Sequence, residues 1–88
     1  MRRSQQPGRM GRFLMARRLV RRAMRGDLTE AAAAEALWQS YAGNQAAALR
    51  DAEELRARFG PRITGVSDRI LSGAEELARR GNRNDQNA

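Results

Sequence analysis

Seven arginines fall between Arg9 and Arg25, in the stretch RMGRFLMARRLVRRAMR, which holds no acid and no lysine. A guanidinium is a permanently charged planar fork that grips phosphate or carboxylate bidentately. The chemistry on offer is therefore the binding of a polyanion. Arg9, Arg12, Arg17, Arg18, Arg21, Arg22 and Arg25 are the candidate contacts, with the last five as the main carriers. All seventeen basic residues of the chain are Arg, a usage that coding bias in a GC-rich genome also explains.

The chain is poor in reactive groups. It has no His and no Cys, so the commonest general base and the thiolate nucleophile are both missing. Structural zinc sites of the thiolate type are excluded for the same reason. Glu53-Glu54 and Glu75-Glu76 are sequence neighbours, and on a helix neighbours diverge by about 100°. Neither pair forms an acid/base couple. No Gly-rich phosphate loop is present. Neither a catalytic residue, a metal nor a cofactor is expected, and the reading is of a non-enzymatic binding protein.

A helix must present the arginines. Wound at about 100° per residue, Phe13, Ala16, Val20, Ala23 and Met24 share one sector, with Met10 at its edge. Arg18, Arg21, Arg22 and Arg25 lie roughly opposite. Arg9 and Arg17 interrupt the apolar side, and Leu14 and Met15 sit among the arginines. This helix repels itself. Arg17–Arg21, Arg18–Arg22 and Arg21–Arg25 are like charges four apart, and Arg18–Arg21 and Arg22–Arg25 are three apart. At about 0.2–0.5 kcal/mol each, these pairs cost roughly 1–2.5 kcal/mol together. Arg9 and Arg12 also stand near the positive end of the helix dipole. A polyanion reverses every one of these terms, which is why an anionic partner is expected.

Nucleic acid, or a ribonucleoprotein, is the first candidate, held largely through phosphates. The second is an acidic partner protein, with Phe13, Val20 and Met24 on the docking helix and Trp38 and Tyr41 as further anchors. Self-association belongs with it, because the core is thin: sixteen of the apolar residues are Ala. A membrane surface is a weaker candidate, since Arg17 breaks the apolar stripe and no Trp anchors it. A helix-turn-helix about Gly43 is rejected. Gln39 occupies the position that wants a small residue, and Asp51, Glu53 and Glu54 would face phosphates. No strand precedes the first helix, so a ribbon-helix-helix is not supported.

The 88 residues allow one all-α domain. No apolar run approaches the ~20 residues of a membrane span. The basic start has no apolar h-region, so a secretory signal is not expected. The Arg-rich start resembles an organellar transit peptide only in composition, and a cytoplasmic setting is expected by default. Residues 1–8 read as a disordered basic lead-in, followed by a single helical domain over 9–81. The first helix spans about 10–25 and closes on Gly26. Asp27 and Glu30 have capping-box spacing, with Thr29 as a rival cap. A middle helix spans about 28–59, where Gly43-Asn44 is a possible break, and the adopted reading is continuous or gently bent. Gly60-Pro61 stops it. A last helix covers about 62–80, with Ser67 as a candidate N-cap, and Gly81 closes it. Residues 82–88 read as a polar tail. The expected arrangement has three helices, with Leu49, Leu55, Phe59, Ile63, Ile70 and Leu77 between the middle and last.

Overall fold

A computed structural model describes the backbone of residues 9–62 and 65–87, and side-chain surroundings for 11–61 and 65–81. The lead-in, Ile63, the side chains of Arg9 and Met10, and Ala88 lie outside those ranges. The protein is all-α, with helices α1 (Arg9–Met24), α2 (Glu30–Gln39), α3 (Gln45–Phe59) and α4 (Gly65–Asn87), and a 3-10 turn at Gly60–Arg62, among the described residues. Its Cα radius of gyration is 13.0 Å, close to the ~12 Å of a packed globule of this length.

Four helices replace the expected three because the middle segment breaks at Gly43. Ala42 and Gly43 both have positive φ, 51° and 86°, and two successive left-handed residues end a right-handed helix. Asn44 then caps α3 by accepting from the Ala47 N–H at 3.1 Å. The ~1 kcal/mol cost of a mid-helix Gly and the ~1 kcal/mol worth of an Asn cap are of similar size. Packing decides between them. With the turn, α2 and α3 both lie on α4, and Leu37, Tyr41, Ala48, Leu55 and Phe59 all enter one core.

The other ends follow local chemistry. Gly26 at φ 83° closes α1, with Asp27 N–H donating to Arg22 O and Gly26 N–H to Ala23 O. Thr29, not Asp27, caps α2, its hydroxyl accepting from the Ala32 N–H at 3.0 Å. Asp27 pairs with Arg25 instead. Ser67 is not a cap either: α4 has already begun at Gly65, and Ser67 is buried with Ile70, Leu71, Ala74 and Ala78 along the seam of α4.

Gly81 does not terminate α4, and the expected tail is helical to Asn87. Both Gly73 and Gly81 serve close approach. A Cβ on Gly73 would stand 2.9 Å from the Ala34 Cβ, and one on Gly81 would stand 3.1 Å from the Trp38 ring. The α2–α4 crossing is tight because small residues line it. Arginine and carboxylate pairs tie the helices together at the rim. Arg56 reaches Glu75 at 2.9 Å and Asp68 at 3.3 Å, and Arg69 grips Glu30 bidentately at 2.7 and 2.9 Å.

Candidate nucleic-acid interface

The orientation of α1 is set by its buried face. Ala16, Leu19 and Val20 are buried, and Phe13 and Ala23 pack partly buried beside them. The Phe13 ring meets Phe59 at 5.5 Å. Leu19 was missing from the sequence sorting, and its inclusion rotates the apolar seam. Measured from that seam, Arg17 no longer interrupts it. Arg17, Arg18, Arg21, Arg22 and Arg25 then share an outward sector about 140° wide. Arg18, Arg21, Arg22 and Arg25 are exposed, and Arg17 is half-buried. Met24, expected on the apolar side, is 59% exposed, and Leu14 is 46% exposed. Leu14 lies within the arginine sector and Met24 at its edge, next to Arg17.

Arg12 is the correction within the candidate set. Its side chain is only 11% exposed and pairs with Asp51 of α3 at 2.9 Å. Its guanidinium also lies 4.3 Å from the centre of the Tyr41 ring. A charge this far inside is paired because desolvation would otherwise be prohibitive. Arg12 therefore fastens α1 to α3 and to the end of α2, and it does not present a charge to solvent. Burial pushes the Tyr41 hydroxyl up to about 12, with the Asp51 carboxylate adding to the rise and the Arg12 charge opposing it. That hydroxyl is buried beside Asp51 without a hydrogen bond of ordinary geometry.

Leu14, Arg17, Arg18, Arg21 and Arg25 line one shallow groove of about 230 Å3. Arg22 flanks it. Arg25 shares its charge with Asp27 at 3.1 Å across an exposed pair. Arg17, Arg18, Arg21 and Arg22 make no ion pair or hydrogen bond among the described residues. Several of the acids are engaged elsewhere. Glu75 and Asp68 face Arg56, and Glu30 faces Arg69, whose hydrogen bond holds the Glu30 carboxyl below its ordinary value. The charge is segregated along the chain as well. Residues 1–25 carry nine Arg and no acid, and residues 26–88 carry eight Arg and ten acids, so +9 and −2 make the net +7.

The candidate docking residues are mostly spent inside. Val20 and Tyr41 are buried, Phe13 packs on Phe59, and Trp38 lies against Gly81. Of that set only Met24 is free at the surface. The apolar face that an interfacial membrane helix would need is the face already in the core. No helix among the described residues is long and apolar enough to cross a membrane, and no group of three potential metal ligands occurs among them. Comparison with protein-family models, curated proteins and solved structures finds no match.

Proposed function

We propose that this protein is a non-enzymatic nucleic-acid-binding subunit whose contact surface is the outward face of α1. One observation carries the reading: Arg17, Arg18, Arg21 and Arg22 share one side of an anchored helix and make no ion pair among the described residues. Like charges three and four apart on a helix repel, and a polyanion relieves that repulsion. The contact set is Arg17, Arg18, Arg21, Arg22 and Arg25, with Arg12 now removed from it. Phosphate contact supplies affinity through counterion release. Binding to generic nucleic acid should weaken steeply with salt, with log K against log salt near a slope of roughly −4 for duplex DNA. Absence of binding at low salt would end this reading.

A second reading has its own support. Leu14 and Met24 are the large apolar side chains left exposed among the described residues, Leu14 within the arginine groove and Met24 at the edge of the arginine sector. That mixture suits an acidic protein groove. Co-purification of a protein that survives nuclease and high salt would favour it over nucleic acid.

A further inference from the structure

Most of the positive charge outside α1 is already matched. Past residue 25, Arg50, Arg56, Arg69 and Arg80 each stand within 4.0 Å of a carboxylate. Arg58 and Arg79 are exposed and make no ion pair among the described residues. Of these two, Arg58 touches α1. It stands in the last turn of α3, and its guanidinium carbon lies 5.7 Å from the centre of the Phe13 ring. Neither of the nearby acids of α3 is left to neutralise it. Asp51 is taken by Arg12 at 2.9 Å, and Glu54, one turn before Arg58, has a partner of its own.

The winding of α1 decides which side of it Arg58 borders. The buried seam passes through Ala16, Leu19 and Val20. At about 100° per residue, Phe13 lies on the flank of that seam nearest Arg17, about 40° from it around the axis. Phe13 also stands about 6 Å before Arg17 along the helix. Helical side chains lean toward the N-terminus and cover the turn before their own Cα. Arg17 therefore leans over the turn of Phe13, and Arg58 stands on that same ring. Arg12, on the other flank of the seam, ends in the Asp51 pair. The basic surface thus continues from Arg17 onto α3 along one flank of α1, and stops at a neutral pair along the other.

We infer that Arg58 is a further phosphate contact, so that the nucleic-acid surface is built by α1 and α3 together. The inference rests on the reading of α1 as a polyanion-binding face. The test uses the full chain and an end-labelled, mixed-sequence DNA duplex of roughly 20 base pairs, followed by fluorescence anisotropy over a salt series. Arg58→Gln should lower the slope of log K against log salt by about 1, and weaken binding on the order of eightfold at 0.1 M salt. Arg58→Lys keeps the charge and should keep the slope. Arg79→Gln is the matched control, because it removes one charge from an arginine that is also exposed and unpaired among the described residues. Arg79 lies by the opposite end of α3, where the Gln45 amide donates to the Ala78 carbonyl at 3.2 Å, and its loss should leave the slope at the parent value. A slope untouched by Arg58→Gln, or lowered as much by Arg79→Gln, overturns the inference. So does a loss shared by Arg58→Lys, which would assign the effect to the contact with Phe13 and not to phosphate. Arg17→Gln keeps the two readings apart: if it lowers the slope while Arg58→Gln does not, the contact is confined to α1. No binding of the parent at low salt removes both.

Discussion

Replacing Arg12 by Met tests whether this arginine belongs to the fold and not to the binding face. Methionine keeps an unbranched apolar stem in place of the arginine's, so the change is mainly one of charge. It leaves Asp51, whose side chain is 13% exposed, without its partner at 2.9 Å. Removing one member of a buried pair costs about 3–5 kcal/mol. The low end applies, because some solvent reaches the pair and Arg50 stands 4.0 Å from the Asp51 carboxylate. Loss of the cation–π contact with Tyr41 adds about 0.5–2 kcal/mol. A total near 4 kcal/mol is a large share of the roughly 4–13 kcal/mol that holds a domain of this size. It corresponds to a fall in Tm of roughly 16–32 °C. Urea and thermal unfolding followed by helical circular dichroism measure the loss, and a double-mutant cycle with Asp51→Asn should return a coupling of about 1.5–3 kcal/mol. Below the melting range the salt slope of nucleic-acid binding should match that of the parent. A stability loss under about 0.5 kcal/mol, or a slope reduced by about 1 in a fully folded variant, would refute the reasoning.

Arg18→Gln should do the reverse. It removes the Arg18–Arg21 and Arg18–Arg22 repulsions and should raise stability by about 0.4–1 kcal/mol at low salt, a gain that fades at high salt, while the binding slope falls by about 1. Gly73→Ala would stabilise an isolated helix by about 1 kcal/mol. Here the new methyl meets the Ala34 Cβ at 2.9 Å, so net destabilisation is expected in urea unfolding, and any gain would show that the α2–α4 crossing is looser than described. Tyr41 titrates in the folded protein near 12 instead of 10. Its contribution is complete below pH 10 and is lost as pH rises from 10 to 12, on the order of 2 kcal/mol. Tyr41→Phe should abolish that alkaline loss and cost little at neutral pH, because the hydroxyl has no hydrogen-bond partner to forfeit. An alkaline unfolding profile unchanged by the substitution would refute the assignment.

The two sides of α1 explain how a self-repelling helix holds its place. Its five outward arginines work against the helix, and Phe13, Ala16, Leu19, Val20 and the buried Arg12–Asp51 pair hold it to the body. Stability and binding are thereby assigned to different residues of a single helix. Substitutions on the two faces should accordingly move different observables.

Composition and period alone were enough for the all-α class, the concentration of positive charge before residue 26, the closure of α1 at Gly26 and the stop at Gly60-Pro61. These features rest on strong local terms: glycine's access to positive φ, proline's missing N–H, and charge that is additive whatever the fold. The break at Gly43, the passage of α4 through Gly81 and the choice of Thr29 over Asp27 turn on local preferences of about 1 kcal/mol that nearly cancel. Packing against another helix tipped the first two. Which arginine faces inward was decided at longer range still. Arg12 and Asp51 are 39 residues apart in the chain, and in the sequence Arg12 looks like its six neighbours. Only the docking of α1, fixed by Leu19 and Val20 entering a shared core, turns that side chain toward a carboxylate and leaves Arg18, Arg21, Arg22 and Arg25 facing solvent, because a helix anchored along one side has no freedom to hide the charges on the other.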